Sequence, residues 1–147
     1  MIVEQVLPAA RERLIMIGDD APLIAAAALL RDLDTDLVVV HDCDGLLAGV
    51  ITKTDIVRQI SHYQGAACMA AASAVMSQAV IYCRPDNLLG EIWRIMKERH
   101  LKNIPILDLN SRPIGVLNAR DVLEALLKEV EHEEVLLQEY VMCVGYH

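Results

Sequence analysis

One nine-residue pattern occurs twice in this chain, 66 positions apart. Gly49-Val50-Ile51-Thr52-Lys53-Thr54-Asp55-Ile56-Val57 returns as Gly115-Val116-Leu117-Asn118-Ala119-Arg120-Asp121-Val122-Leu123, with the glycine, the apolar residues and the aspartate in register. The match runs upstream without a gap: Leu37-Val38-Val39-Val40-His41-Asp42 lies over Asn103-Ile104-Pro105-Ile106-Leu107-Asp108, and Asp20-Ala21-Pro22-Leu23 over Asp86-Asn87-Leu88-Leu89. A unit this short buries its apolar face poorly alone, so two copies are expected to pack on each other and leave clefts at their seam. The 147 residues accommodate the pair but exclude separate large domains.

The pattern inside each copy sets its elements. Asp19-Asp20-Ala21-Pro22 places acidic groups at a helix start, and a helix is predicted over Leu23 to about Leu33. Leu37 to Val40 is a β-branched run suited to a buried strand, Asp42-Cys43-Asp44-Gly45 a turn, Leu46 to Thr52 a second strand, and a helix opens near Thr54-Asp55. The second copy repeats the order, with a helix from Asp86 to about Arg99, strands Ile104 to Leu107 and Ile114 to Leu117, and a helix from Arg120. Short strands at about Leu14 to Ile17 and Val80 to Cys83 complete a β-α-β-β-α unit. Strands joined by a four-residue turn are antiparallel neighbours, and strands separated by a helix can be parallel. The expected fold is therefore α/β (α+β), two β-α-β-β-α repeats over residues 9–66 and 74–130, followed by a helical tail over 131–147. That tail carries a solvated charge run, Glu131-His132-Glu133-Glu134, and then an apolar run from Val135 to Met142 with nothing left to cover in a compact pair. A second copy of the chain is its expected partner.

Composition narrows the function. No apolar run reaches the roughly 18 to 20 residues of a membrane span, although 54% of residues are hydrophobic; the stretch from Gly65 to Ala72 reads as a linker or short helix. The N-terminus lacks a basic region followed by an apolar core, so no secretory signal is read. Cys43, Cys68, Cys83 and Cys143 form no Cys-x-x-Cys pair, which favours reduced thiols and a cytoplasmic location. A net charge of −8 opposes nucleic acid and anionic membranes, so any phosphate must be held locally by a few cations and backbone N–H groups. Aromatic residues are 3% of the chain, so a flat ligand would lie between aliphatic side chains. Neighbouring residues on one turn seldom converge on a metal, which leaves His41-Asp42-Cys43-Asp44 without a metal assignment. Trp93, at helical spacing with Leu89 and Met96, reads as core, and Cys143 as inert packing.

The repeated motif has intelligible chemistry. A carboxylate such as Asp55 can accept two hydrogen bonds from a vicinal diol, which a ribose supplies. Thr52, at the helix entrance, offers a hydroxyl to a phosphate where the helix dipole favours an anion, and Gly49 permits close backbone approach. Equally, Thr52 and Asp55 are preferred helix-capping residues and need no ligand to explain them. His100 can approach a phosphate, or simply favour a helix C-terminus.

At these segments the chain resembles the tandem cystathionine-β-synthase (CBS) domain pair, or Bateman module, whose repeats carry Gly-h-x-Thr/Ser-x-x-Asp, with h apolar, between the last strand and the last helix. Leu101-Lys102-Asn103-Ile104-Pro105-Ile106-Leu107-Asp108 is similar to the family's second strand, and the resemblance covers nearly all of residues 9 to 130. It implies pseudo-twofold packing and two clefts, each combining the motif of one repeat with strand residues of the other. Carried over by position, the first cleft comprises Ile51, Thr52 and Asp55 with Ile81, Leu101, Lys102, Asn103 and Pro105. The second comprises Leu117, Asn118, Arg120 and Asp121 with Ile15, Thr35, Leu37 and Val39. The second departs from the pattern, with Asn118 for Thr/Ser and Asp36 where the first has Lys102. What the resemblance implies is a non-catalytic regulatory module that binds an adenine nucleotide (AMP first; ADP, ATP, NAD(H) or S-adenosylmethionine as alternatives), pairs as a homodimer and signals to a partner protein. With no nucleophile beside a base, no P-loop and no metal set, no catalytic cofactor is expected. A purely structural dimerisation module with empty clefts and a nucleotide-processing enzyme are the competing readings.

Overall fold

A computed structural model describes residues 1–32, 36–63 and 69–145. After a 3₁₀ turn at Val3–Val6 come α1 (Leu7–Glu12), β1 (Met16–Gly18), α2 (Leu23–Asp32), β2 (Leu37–His41), β3 (Leu47–Thr52) and α3 (Lys53–Tyr63). The second half holds α4 (Ala72–Val75), α5 (Leu89–Arg99), β4 (Asn103–Leu107), β5 (Pro113–Asn118) and α6 (Ala119–Gly145). The first sheet has the order β1-β2-β3, with β1 parallel and β3 antiparallel to β2; β4 and β5 form an antiparallel pair.

The duplication is visible in backbone detail. Both hairpins slip register at equivalent points, Val40/His41 and Ile106/Leu107. The turns that follow are the same Asx-type structure. Asp42 Oδ1 accepts from the N–H groups of Asp44 and Leu46, and Asp108 Oδ1 from those of Asn110 and Arg112. Each turn needs one left-handed residue, Gly45 at φ 80° in the first copy and Ser111 at φ 63° in the second. Glycine adopts that conformation without steric cost, whereas serine does not.

One predicted strand shrinks to a single bridge. Instead of a strand over Val80–Cys83, only Cys83 pairs, in parallel with Ile106. Two prolines explain it. In the first copy the parallel ladder uses Val39 N–H to the Ile15 carbonyl (2.9 Å) and Asp19 N–H to the His41 carbonyl (2.9 Å). The positions 66 residues later are Pro105 and Pro85, which have no N–H to donate.

The N-terminal segment was not predicted as an element, yet it completes the second repeat. Val3, Leu7 and Ala10 are buried in one cluster with Cys83, Leu89, Ile92, Met96, Ile104, Ile106, Leu117 and Val122. Backbone bonds from Val3 to Asn87 and from Glu4 to Pro85, both 2.9 Å, tie it there. Pro8 in its first turn is the signal that marks the helix start. The first repeat has its own core around Leu23, Ala26 and Leu30 of α2, whose spacing places them on one face, against Val38, Val40 and Ile51. Between the two lies a seam of Leu37, Val39, Val50 and Val116. The tail continues α6 as one 27-residue helix, and residues 131–139 are exposed.

Candidate functional site

The first motif sits where β3 ends and α3 begins. Thr52 Oγ1 accepts from Asp55 N–H (3.2 Å) while Asp55 Oδ2 accepts from Thr52 N–H (2.9 Å), a reciprocal capping box at the helix entrance. The capping role weighed from the sequence is therefore present. Asp55 Oδ1 has no partner among the described residues.

A cavity of about 340 Å³ opens at this entrance. It brings together Thr52 with Leu101, Lys102 and Asn103 of the first cleft as expected from sequence, and adds Lys53, Thr54 and His100. It also takes in Asp36 and Leu37, both expected in the opposite cleft. The start of β2 and the start of β4 thus face the same space, so Asp36 and Lys102 do not distinguish two clefts by charge. Asp36 Oδ1 instead meets Lys53 Nζ at 3.3 Å. Both side chains are about half exposed, so this pair contributes at most about 1 kcal/mol and is readily exchanged for another anion. His100 ends α5 in the left-handed conformation, φ 54°, and Leu101 N–H closes the helix on the Met96 carbonyl at 2.9 Å. That conformation ends the helix, and histidine is among the non-glycine residues that take it more readily.

The other first-cleft residues lie off this lining. Ile51 is fully buried in the first repeat's core, Pro105 is buried in β4, and Ile81 packs against the second repeat's core. Asp55 stands one helical turn behind Thr52.

The second motif is built differently. Asn118 Oδ1 accepts from Arg120 N–H (3.0 Å), and Asn118 Nδ2 donates across the strand pair to Asn103 Oδ1 (3.1 Å). Asp121, relieved of capping, is held by Arg13 from the end of α1. Nε donates to Oδ2 and Nη2 to Oδ1, the latter at 3.1 Å. Nothing in the sequence marks this pair, which spans 108 residues. The cavity beside Asp121, about 360 Å³, is walled by Met1, Gln5, Pro8 and Ala9 of the N-terminal segment and by Glu124 and Lys128. None of these was expected in the second cleft. Of its expected members, Leu117 is in the second repeat's core, Leu37 and Val39 are in the seam, Ile15 packs on the first repeat's core and Arg120 is exposed. Thr35 lies outside the described residues.

The motif glycines are approached by the chain itself. A Cβ at Gly49 would stand 2.7 Å from Met76 Sδ and from the Ser77 carbonyl oxygen; at Gly115 it would stand 3.0 Å from Ala10 Cβ. Ala10 and Met76 are themselves 66 positions apart, so α1 covers the second motif as the segment after α4 covers the first.

Among the described residues no group of three or more His, Cys, Asp and Glu side chains is placed to hold a metal, and no helix is long and apolar enough to cross a membrane. His41-Asp42-Cys43-Asp44 forms the turn described above. Trp93 packs on the second repeat's core with Lys97 Nζ over its ring at 5.8 Å. Burial pushes the Cys83 thiol up to about 12.

The CBS domain model matches residues 3–62 and 72–128, most of the chain. An uncharacterized protein of Methanopyrus kandleri is 28% identical over 106 residues, covering 70% of this chain and 54% of the relative, so the chain spans about half of that protein's length. A CBS-domain containing protein from Agrobacterium tumefaciens superposes with a TM-score of 0.72 at 25% identity, covering 84% of this chain and 92% of that one. The CBS domain pair of protein MJ0100, solved in complex with methylthioadenosine and S-adenosylmethionine, superposes with the same TM-score at 18% identity over 88% of this chain and 98% of its own. With both copies of the repeat matched and the fold shared, the chain belongs to the CBS domain family, as a tandem pair.

Proposed function

We propose that the chain is a regulatory module that binds an adenosine-containing small molecule at the entrance of α3 and reports it to a partner protein. The carrying observation is the 340 Å³ cavity, which joins the motif of the first repeat to the strand entrance of the second. Its volume lies in the range of small-molecule sites. Lys53 and Lys102 supply positive charge at a helix N-terminus, a setting suited to phosphate. Asp55, off the lining and one helical turn behind Thr52, keeps one carboxylate oxygen for a ribose diol that reaches past the cavity mouth, and Leu37 and Leu101 offer aliphatic walls for a base. The adenosine derivatives bound by the MJ0100 pair support this ligand class. AMP is the preferred candidate, its single phosphate meeting Lys102 and, in exchange for the Asp36 carboxylate, Lys53; ADP, ATP, NAD(H) and S-adenosylmethionine are alternatives. The module is further proposed to act in the cytoplasm, as a homodimer and without catalysis, with repeats at 9–66 and 74–130.

Asp55→Ala should weaken AMP binding by roughly 1.5 to 3 kcal/mol, the range for losing bonds to a charged group. Thr52→Ala should weaken it less. Titration calorimetry on folded variants tests this, and unchanged affinity in Asp55→Ala refutes the assignment. The capping box favours the competing structural reading, in which the cavity stays empty. A thermal-shift screen with adenosine nucleotides separates the two, since a ligand at a hundredfold excess over Kd stabilises by about 2.7 kcal/mol.

A further inference from the structure

We infer that Arg13 keeps the second motif from taking ligand, so that of the two motif carboxylates only Asp55 is available to an adenosine derivative, while Asp121, although it borders a cavity, is already occupied by the end of the N-terminal helix. The inference rests on the function proposed above and adds which motif is available and what decides it.

The two motif aspartates are related by the repeat, but different groups hold them. Arg13 holds both oxygens of Asp121 through Nε and Nη2, and the two side chains are 30% and 20% exposed. The residue 66 positions after Arg13 is Ala79, which can pair with nothing. Among the described residues Asp55 therefore meets no guanidinium; its carboxylate accepts through Oδ2 from Thr52 N–H in the capping box, and Oδ1 is left over. A ribose diol approaching Asp121 must displace a forked pair in which donor and acceptor are both charged, whereas the diol brings only neutral donors to the same carboxylate. The competitor also has no translational freedom to lose, because α1 is anchored in the second repeat's core through Val3, Leu7 and Ala10. The expected penalty at Asp121 relative to Asp55 is roughly 10- to 150-fold in affinity. The same geometry gives Asp121 a stabilising role, since it latches the end of α1 to the first turn of α6.

The test is calorimetric titration of the full chain with AMP, repeated with S-adenosylmethionine, on wild type and on Arg13→Gln, Asp121→Asn and Asp55→Ala. Folding is checked for each variant by its melting transition. The expected results are one site per chain in wild type, the same site kept in Asp121→Asn and lost in Asp55→Ala, and a second site appearing in Arg13→Gln. Two sites of similar affinity in wild type would overturn the inference, as would a single site lost in Asp121→Asn but kept in Asp55→Ala. If Arg13→Gln does not fold, the two aspartate variants decide it. Absence of binding by every folded variant is a different result, which removes the proposed function and this inference with it.

Discussion

Gly49→Ala asks whether the motif glycine makes room for a ligand or for the chain. The added methyl would sit 2.7 Å from Met76 Sδ, 2.8 Å from Met76 Cγ and 2.7 Å from the Ser77 carbonyl oxygen, against an ordinary contact of 3.4 Å or more. Methionine can swing aside. The Ser77 carbonyl cannot, because it accepts from Val50 N–H at 3.1 Å while Ser77 N–H donates back to Val50 at 2.9 Å. A retreat of ~0.7 Å would stretch both bonds past useful length. Overpacking of this kind costs about 1–3 kcal/mol, and two weakened hydrogen bonds add about 1 kcal/mol each at most. The reduced freedom of the unfolded chain returns about 0.4–1 kcal/mol. The net expectation is a loss of roughly 2–3 kcal/mol, or about 5–10 °C in Tm for a chain of this size. Gly115→Ala should cost less, about 1 kcal/mol, since its nearest contact is 3.0 Å. Gly90→Ala is the control: nothing lies within 4 Å, and replacing a helical glycine should stabilise by about 0.5–1 kcal/mol. Thermal and urea unfolding of the three variants measure the series. A Gly49→Ala protein that melts with wild type but loses AMP binding would refute the reasoning and assign the glycine to ligand approach.

The turn serine offers the opposite prediction. Relieving the left-handed conformation at Ser111 by Ser111→Gly should stabilise by about 0.5–1 kcal/mol, read as a higher urea midpoint, and Gly45→Ser should lower it. Cys83 should resist alkylation at pH 8 while exposed Cys43 reacts, as peptide mapping would show. Because burial raises the Cys83 pKa to about 12, the unfolded state loses that proton first, and stability should fall as pH rises from about 9 towards 12. Truncation after Lys128 should convert a dimer to a monomer in sedimentation, because Val135, Leu136 and Leu137 are at least half exposed on α6; an unchanged subunit count places the contact elsewhere.

The repeat made most of the fold legible, because hairpins, helices and turn chemistry are local properties that a second copy restates. The missing strand at Val80–Cys83 was also legible in principle: Pro85 and Pro105 delete two specific ladder donors, and their equivalents Asp19 and Val39 show which ones. The site was legible only in part. Thr52, Leu101, Lys102 and Asn103 line one cavity, as the family resemblance implied, but Asp36 joins them because two strand starts converge on one space, a tertiary fact with no local signature. Arg13 and Asp121 are separated by most of the chain, and an isolated arginine before a strand carries no mark of the carboxylate it will meet.

The place of α1 bears on how the molecule is made. Val3, Leu7 and Ala10 belong to a core whose other members begin at Cys83 and end at Val122, and Gly115, against which Ala10 lies, is synthesised 105 residues after it. At about 5–20 residues per second, this segment waits roughly 5–20 s for its binding surface to be synthesised. Throughout that interval three apolar residues meant for burial stay open to chaperones and to neighbouring nascent chains. A cut in the linker would not yield two self-sufficient halves, because the first would carry a helix that belongs to the second. Coexpressed halves should instead find each other, with the N-terminal helix of one seated in the other.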